Sequence, residues 1–289
     1  MNKAKIREYY HLAKPGMVYG NLLPALGGFV LGSKSGGFNL LLCVFTMISL
    51  GLVIASGCVF NNYLDRNIDR KMLRTRQRAL PQKRVAGWEA LTYAATLGIF
   101  GLFILVFFID VLAAYVAAAG LFLYVVVYGI AKRHTHYSTL IGSLPGATPP
   151  VVGYLAATSH VDLGAGLLFL TMALWQMPHF YAIAIFRQKD YEAAKLPLMP
   201  IKKGIAVTKK HMVVFAAAFV LAAASLTATK YTGFVYLAVV VIFGGYWLNM
   251  AVQGLSLRDN VIWAKKMFGT SLIVLTVFSL ALILNSILP

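Results

Sequence analysis

Long apolar segments, separated by shorter polar ones, follow each other along the whole chain. Each is close to the ~20 residues that a helix requires to cross the hydrocarbon core of a bilayer. The pattern predicts nine transmembrane helices, over residues 16–33, 40–60, 90–109, 111–131, 138–158, 163–186, 211–229, 232–253 and 267–288. We therefore expect an all-α polytopic membrane protein in which residues 1–289 form a single integral-membrane domain.

Two of the polar connections are long, and they follow the second and sixth predicted helices. The first polar segment (61–89) and the second polar segment (187–210) both begin with acids, become basic and reach a proline. This weak internal repeat favours two similar halves, roughly 1–137 and 138–266, with a final helix at 267–289. Coincidence is the alternative for so short a match. The Gly- and Pro-rich stretch at 142–150 predicts a broken or kinked helix.

The composition supports the membrane class and gives the topology. Of the 289 residues, 60% are hydrophobic and 12% are charged, which is more apolar than a soluble domain of this size requires. With the N-terminus inside and nine crossings, 24 of the 26 Lys and Arg residues fall in inner segments. This is the positive-inside rule, so the net charge of +17 reports topology and not nucleic-acid binding. We expect a cytoplasmic N-terminus, an uncleaved first helix and an outer C-terminus.

Three polar side chains recur every four residues where the second predicted helix ends. Asn61, Asp65 and Asp69 would share one face of a helix. Carboxylates beside a bilayer are costly and are usually kept for ions, protons or substrates. Mg²⁺ is typically held by one or two carboxylates together with phosphate oxygens of a substrate. The spacing therefore indicates a site for Mg²⁺ and a phosphorylated ligand; the alternative is a solvated turn whose acids pair with nearby arginines.

A second, basic row runs beside the acidic one. It is formed by Asn62, Arg66, Arg70 and Arg74, with Lys71 adjacent. Guanidinium groups bind phosphate oxygens in a bidentate manner, so the two rows together suit a Mg²⁺-diphosphate. The alternative is cytoplasmic anchoring to anionic lipid, to which we assign Arg76, Lys83 and Arg84.

Two further places offer polar side chains at an inner helix end. If residues 178–192 form one helix, His179 and Asp190 share a face and could line one cavity, with Glu192 close by. A hydrogen-bonded structural histidine is the alternative. Tyr128 and Lys132 stand four residues apart at the inner end of the fourth helix, where they could reach a diphosphate or anchor the helix at the interface.

These residues resemble the UbiA superfamily of intramembrane prenyltransferases, and the resemblance covers nearly the whole chain. Asn61-x-x-x-Asp65-x-x-x-Asp69 is similar to the first aspartate motif of that superfamily, and Tyr128-x-x-x-Lys132 is similar to a position used near the diphosphate. Longer blocks resemble the branch that farnesylates protoheme IX: Lys14-Pro15-Gly16, Ser56 through Tyr63 and on to Arg78-Ala79-Leu80-Pro81, Gly142-Ser143 through Pro149-Pro150, and Trp175-Gln176-Met177-Pro178-His179.

The resemblance implies a bundle of nine helices around a central cavity that opens at the cytoplasmic side of a bacterial plasma membrane. It implies Mg²⁺-dependent transfer of a farnesyl group from farnesyl diphosphate to the 2-vinyl group of protoheme IX, with addition of water, which forms heme O. A heme A synthase or terminal oxidase is an implied partner, beside the lipid bilayer. Asn61, Asp65 and Asp69 are expected to hold Mg²⁺, and Asp65, Asp69 and Asp190 to be catalytic. The expected substrate-binding residues are Asn62, Arg66, Arg70, Lys71, Arg74, Tyr128, Lys132, His179 and Glu192.

One departure from the superfamily pattern bears on the alternatives. The second DxxxD motif is incomplete, because Asp190 is followed four residues later by Ala194. A two-metal site is therefore in question, and Glu192 is a possible substitute ligand. A prenyltransferase that acts on an aromatic quinone precursor would be expected to keep that motif. An ion-coupled transporter, the other alternative, would more naturally place its acids near the bilayer midplane.

Overall fold

The structure, a computed structural model, describes residues 3–34 and 36–285, and within these ranges the only regular elements are helices. The helices are α1 (Lys3–Leu12), α2 (Pro15–Gly32), α3 (Leu40–Asp69), α4 (Gly87–Phe108), α5 (Val111–His134), α6 (Ser138–Gly146), α7 (Thr148–Thr158), α8 (Leu163–Phe186), α9 (Gln188–Ala193), α10 (Met199–Lys202), α11 (Ile205–Ala228), α12 (Phe234–Gln253) and α13 (Asn260–Leu284). Within α5, residues Leu123–Val127 form a π-helical turn. The all-α prediction is confirmed.

Seven of the described helices are long and apolar enough to cross a membrane: α3, α4, α5, α8, α11, α12 and α13. Two predicted spans correspond instead to α2 and to the pair α6 and α7. The α6–α7 pair is broken at Ala147, which confirms the predicted interruption in the Gly- and Pro-rich stretch. The last helix begins at Asn260, earlier than predicted, because Asp259 accepts hydrogen bonds from the free backbone N–H groups of Val261 and Ile262.

Two helices outside that set of seven, α2 and α7, pack closely against each other in the interior. A Cβ atom at Gly28 would lie 2.0 Å from the carbonyl oxygen of Pro150, and one at Gly153 would lie 2.0 Å from the carbonyl oxygen of Ala25. Glycine on both helices therefore permits backbone contact, which is how membrane helices without a hydrophobic driving force gain packing. Much of α7 and the second half of α2 are buried as a result.

At the end of the bundle opposite to the two polar segments, one carboxylate joins three elements. Asp162 caps α8 by accepting from Ala165 N (3.0 Å), and its Oδ2 accepts from the hydroxyls of Tyr154 (2.8 Å) and Tyr231 (3.0 Å). Burial alone would raise the pKa of Asp162, but these hydrogen bonds outweigh it and hold the pKa below its ordinary value. The carboxylate thus stabilises the fold in its charged form.

Candidate active site

The aspartate motif lies on one uninterrupted helix, as predicted. The helix α3 continues past its apolar part and ends at Asp69, so Asn61, Asp65 and Asp69 follow one another along a single face. Asn61 and Asp69 are buried and Asp65 is half-buried. A carboxylate that is 2% exposed, as Asp69 is, requires a charged or hydrogen-bonding partner, and each acid of the motif has one.

Asp65 is surrounded by three polar side chains. Lys132 Nζ donates to its Oδ2 and forms an ion pair in which both side chains are largely buried. Arg133 Nη2 reaches the other oxygen at 3.5 Å and donates to the carbonyl of Leu64 at 2.7 Å. With the Asn61 amide oriented to suit these neighbours, its nitrogen donates to Asp65 Oδ2 (3.2 Å) and its oxygen accepts from Lys132 Nζ (2.8 Å). Lys132, a predicted diphosphate ligand, therefore contacts the motif directly.

Asp69 is held by Arg78, which the sequence analysis did not select. Arg78 Nη1 donates to Asp69 Oδ2 at 2.9 Å and to Asn62 Oδ1 at 3.3 Å. The amide nitrogen of Asn62 in turn donates to the carbonyl of Leu12 at the end of α1 (2.8 Å). The chain after α3 therefore folds back over the helix end in a series of turns, and its arginine returns to the face that carries the acids. Asn62 lies beside the site as predicted.

Lys14 is a second cation that the sequence analysis missed as a site residue. It joins α1 to α2 in a left-handed conformation with φ 50°, which is uncommon for a residue with a side chain. Desolvation lowers the pKa of its ammonium group to about 8. In the opposite orientation of the Asn61 amide, Lys14 Nζ would donate to Asn61 Oδ1 at 3.3 Å. Its only sequence signal was the Lys-Pro-Gly block, which does not reveal what it contacts.

The predicted basic row is wrong beyond the end of α3, because the helix stops at Asp69. Arg66 folds onto its own helix: its Nη1 donates to the carbonyl of Tyr63 (2.8 Å), and its guanidinium carbon lies 4.1 Å from the Tyr63 ring centroid. Arg70 donates to the carbonyl of Pro81 (3.1 Å) and so fixes the first polar segment. Two of the predicted cations, Lys71 and Arg74, are exposed in the turns that follow the helix.

Two stacked tyrosines form an aromatic wall beside Lys132. The rings of Tyr124 and Tyr128 are nearly parallel with centroids 5.8 Å apart, and Lys132 Nζ lies 5.2 Å from the Tyr128 centroid. Tyr124 belongs to the π-helical turn of α5 and Tyr128 follows it directly, and such turns are frequent at functional sites. A Cβ at Gly142 would lie 2.8 Å from the Tyr128 ring, so this position has no room for a side chain.

The second polar segment is arranged differently from the prediction. The helix α8 ends at Phe186 and a new helix begins at Gln188, so His179 and Asp190 do not share one helix face. His179 is buried, its Nδ1 lies 2.7 Å from Ser271 Oγ of α13, and its ring stacks on Trp175 at 4.7 Å. These contacts with Ser271 and Trp175 are those expected of a structural histidine.

The second polar segment nevertheless lies against the first. Tyr191, Ala194 and Leu196 pack with Ile68 and Met72 in one small apolar cluster. This cluster brings α9 next to the end of α3, near the aspartate motif, although the two segments are more than a hundred residues apart in sequence. The tertiary structure thus places the two polar segments next to each other.

The two acids of α9 lie next to that cluster and are more accessible than the motif on α3. Glu192 is exposed and accepts from Gln188 (2.7 Å), while Asp190 is half-exposed. Burial raises the pKa of Tyr191 between them, an effect that the positive charges of Arg74 and Arg187 oppose. Tyr191 is therefore a polar residue of this region that spacing alone did not indicate.

The donor set fits a magnesium ion that arrives with a phosphorylated substrate. No group of three or more His, Cys, Asp or Glu residues able to hold a metal exists in the described part of the chain. Asp65 and Asp69 with the Asn61 amide supply two carboxylates and one neutral oxygen, and Mg²⁺ ordinarily completes such a set with water and substrate phosphate. Four cations, Lys14, Arg78, Lys132 and Arg133, lie at or beside these acids and are available to a phosphate as well.

The chain is similar to known proteins over almost its whole length. The family model of the UbiA prenyltransferase family matches residues 21–279. The chain is 45% identical over 284 residues to protoheme IX farnesyltransferases of Salmonella choleraesuis (strain SC-B67) and of Citrobacter koseri, and the match covers 98% of this chain and 96% of each relative. The protoheme IX farnesyltransferase of Escherichia coli O1:K1 / APEC is similar to the same extent, 45% over 284 residues.

Solved structures with similar folds have much lower sequence identity. A digeranylgeranylglyceryl phosphate synthase superposes with a TM-score of 0.80 at 19% identity, covering 98% of this chain and 99% of the other. A UbiA homologue from Aeropyrum pernix K1 gives 0.72 at 17% identity, with 94% and 98% covered. A UbiA homologue from Archaeoglobus fulgidus, solved with GPP and Mg²⁺, gives 0.69 at 17% identity, with 96% and 99% covered. These likenesses establish the fold.

Proposed function

The chain belongs to the UbiA prenyltransferase family, and from this premise we propose that it transfers a farnesyl group from farnesyl diphosphate to the 2-vinyl group of protoheme IX, with addition of water, to form heme O. The observation that carries the proposal is the 45% identity to protoheme IX farnesyltransferases over 98% of the chain. The aspartate motif with its surrounding cations is the part of the molecule suited to the diphosphate.

In this proposal Asn61, Asp65 and Asp69 hold Mg²⁺. When bound, the ion neutralises negative charge that develops on the diphosphate as the allylic C–O bond breaks. In the structure described here the two aspartates are neutralised by Lys132 and Arg78 instead. Arrival of the ion with its substrate would free these cations to contact the phosphate oxygens.

The chain's own cations stabilise the leaving group. Lys132, Arg78 and Arg133 are held beside the motif by hydrogen bonds that exist before substrate binds, and the ammonium group of Lys14 lies next to them. Preorganised donors of this kind act where charge develops and require no reorganisation during the reaction. The aromatic wall of Tyr124 and Tyr128 lies beside Lys132, and its ring faces attract positive charge on the allylic carbons.

The acceptor step follows from the enclosure of the allylic cation. A helical bundle keeps water from the cation until the vinyl group has attacked it. Water then adds to the carbon next to the porphyrin ring and loses a proton, which yields the hydroxyfarnesyl substituent. We propose Asp190 as the residue that positions this water or a second metal ion, and Glu192 as a substrate contact that compensates for the incomplete motif. His179 is assigned to the heme edge through the packed wall that it forms with Trp175.

We assign the remaining predicted cations to weaker, peripheral contacts with the diphosphate. Arg66, Arg70, Lys71 and Arg74 are solvent-accessible or engaged with the backbone of the first polar segment. We expect replacement of these residues to raise the KM for farnesyl diphosphate severalfold with little change in kcat.

The finer membrane arrangement is also part of the proposal. With α2 and the broken pair α6 and α7 counted as crossings, the chain spans the membrane nine times, with the two polar segments and the N-terminus on the cytoplasmic side. A central cavity would then open towards those segments, and both amphipathic substrates would enter it laterally. We also assign the protein to the bacterial plasma membrane. We propose that its product passes to a heme A synthase or a terminal oxidase.

The test uses membranes that contain this protein, supplied with protoheme IX, farnesyl diphosphate and Mg²⁺. Extracted hemes are analysed by mass spectrometry for a species heavier by one hydroxyfarnesyl unit. We expect this product from the wild type and from Asp110→Asn, a matched change in a helix-capping aspartate far from the motif. It should be absent with EDTA and with Asp65→Asn or Asp69→Asn, while each variant remains folded in the membrane.

Two outcomes would change the assignment. Full activity of Asp65→Asn would remove the metal site from the proposal. Unchanged heme in membranes that still bind farnesyl diphosphate would keep the family and move the acceptor to another prenylated molecule, such as an aromatic quinone precursor.

A further inference from the structure

A cavity of about 550 Å³ lies between α1 and the first polar segment, next to the aspartate motif. The face of α1 that borders it carries residues three and four positions apart, so one side of this short helix is turned towards the cavity. Four of its eight polar lining side chains are guanidinium groups, and we call it the arginine cavity; these eight are Arg7, Glu8, His11, Asn62, Arg74, Gln77, Arg78 and Arg84.

The charges of the arginine cavity are not balanced from within. Arg84 pairs with Glu8 (2.7 Å) and Arg78 pairs with Asp69 (2.9 Å). In the part of the chain that the structure describes, Arg7 has no carboxylate at ion-pair distance and contacts only the ring of His11, at 3.4 Å. Four guanidinium groups against one lining carboxylate make a strongly positive cavity, whose volume lies in the range of small-molecule sites.

The side chains of the arginine cavity are largely exposed, but ion pairs and hydrogen bonds hold its two walls in place. The helix α1 is fixed at both ends: Lys5 pairs with Glu89 of α4 (2.6 Å), and the carbonyl of Leu12 accepts from Asn62 (2.8 Å). The other wall is fixed where Arg84 also donates to the carbonyl of Gln77 (2.8 Å). Both walls are therefore held in position before any ligand binds.

The arginine cavity and the aspartate motif share a wall. Asn62 and Arg78 line the cavity, and the same Arg78 nitrogen donates to Asp69. A ligand in the cavity is thus adjacent to a diphosphate at the motif without occupying the same space. Protoheme IX carries its two propionates on the edge of the macrocycle away from its vinyl groups, so when a vinyl group faces the farnesyl carbon the propionates require a site separate from the one that holds the diphosphate.

We propose that the arginine cavity is a second oxyanion site, which binds the propionate carboxylates of the porphyrin acceptor and so orients its vinyl edge towards the farnesyl group. This rests on the proposed function. Guanidinium forks match carboxylates in a bidentate manner, and among the described residues Arg7 is the fork of this cavity that is neither paired with a carboxylate nor assigned to the diphosphate. A departing diphosphate is the other oxyanion that could use the cavity, and the experiment separates the two.

The experiment measures steady-state kinetics of the purified full chain with both substrates for wild type, Arg7→Gln and a matched control, Arg76→Gln. Arg76 lies on the same polar segment, is exposed and does not line the cavity. We expect Arg7→Gln to raise the KM for protoheme IX about tenfold, equivalent to about 1.4 kcal/mol, without changing the KM for farnesyl diphosphate. Arg76→Gln should match the wild type, and Arg7→Lys should recover part of the loss.

A second acceptor identifies the carboxylates as the ligand. Protoheme IX dimethyl ester has no propionate charge, so the wild type should show with it the raised KM that Arg7→Gln shows with the diacid. For Arg7→Gln, the KM for the ester should be less than twofold higher than the KM for the diacid. Equal KM values for the diacid in wild type and Arg7→Gln would overturn the proposal. An equal rise in KM from the diacid to the ester in both proteins would also overturn it.

Product inhibition by inorganic diphosphate tests the competing source. If Arg7→Gln weakens this inhibition and leaves the KM for protoheme IX unchanged, the cavity is an exit for diphosphate and the proposal is wrong. If the wild type forms no farnesylated heme at all, the proposed function fails, and the cavity is judged from heme binding alone. Soret titration should then still show about tenfold weaker binding of protoheme IX to Arg7→Gln than to the wild type. Equal binding by the two proteins would overturn the proposal. Unchanged thermal unfolding excludes misfolding of the variant.

Discussion

The ion pair between Asp65 and Lys132 makes a quantitative prediction that separates stability from activity. The side chains are only 14% and 7% exposed. At ~4 Å and an effective dielectric constant of ~20, their attraction is about 4 kcal/mol. Removing one partner leaves an uncompensated buried charge, which costs about 3–5 kcal/mol. Asp65→Asn and Lys132→Met should therefore each destabilise the protein strongly, whereas the double variant should lie closer to the wild type than either single one.

Thermal unfolding in detergent measures this effect. Cys43 and Cys58 are free and buried, so a thiol-reactive fluorophore reports their exposure as the bundle opens. A loss of 3–5 kcal/mol corresponds to a decrease in Tm of roughly 6–20 °C. Because the double variant leaves neither buried charge unpaired, its loss should be smaller than that of either single variant, so the coupling energy should be at least about 3–5 kcal/mol. The double variant should remain inactive, because Asp65 is absent from the motif.

Arg133→Gln is the matched control, because Arg133 reaches the same carboxylate at 3.5 Å but is 41% exposed. Its effect on stability should be within about 1 kcal/mol, as for other exposed pairs. Strictly additive losses in the double variant, or an effect of Arg133→Gln as large as that of Lys132→Met, would refute the reasoning that burial makes the first pair strong.

Three further outcomes are expected. Asp162→Asn should cost about 1–2 kcal/mol of stability at neutral pH because two tyrosine hydroxyls lose a charged acceptor, whereas Asp110→Asn, which removes only a capping carboxylate, should cost less. The pKa of Asp162 is held below its ordinary value of 3.8, so this contribution is present above that pH and lost below it, and unfolding curves of wild type and variant should converge in acid. Gly142→Ala forces the Tyr128 ring to move and should lower kcat about tenfold, whereas Gly245→Ala, with open space around it, should not; equal kcat values would remove the aromatic wall from the mechanism. EDTA should abolish turnover, and added Mg²⁺ should restore it; turnover that persists in EDTA would contradict a metal role.

The sequence by itself determined the features that depend on composition and on the spacing of residues along the chain. The apolar segments predicted an all-α membrane protein, and the four-residue spacing placed Asn61, Asp65 and Asp69 on one helix face because helical geometry is the same in every protein. The break between α6 and α7 followed from Gly and Pro, whose backbone restrictions are also local. The family resemblance, carried by short motifs, was confirmed by the match over residues 21–279.

Only the tertiary structure decided which charges meet. Arg78 and Lys14 reach the motif from turns outside α3, and no spacing rule relates them to it. The chain turns at Arg187, so the face expected to join His179 with Asp190 does not exist, and His179 packs on α13 instead. Ion pairing and burial depend on distance through space, and the first polar segment acquires its partners only when α1, α5 and α9 fold against it. The helices follow from the chain's own periodicity, whereas the site follows from how they pack.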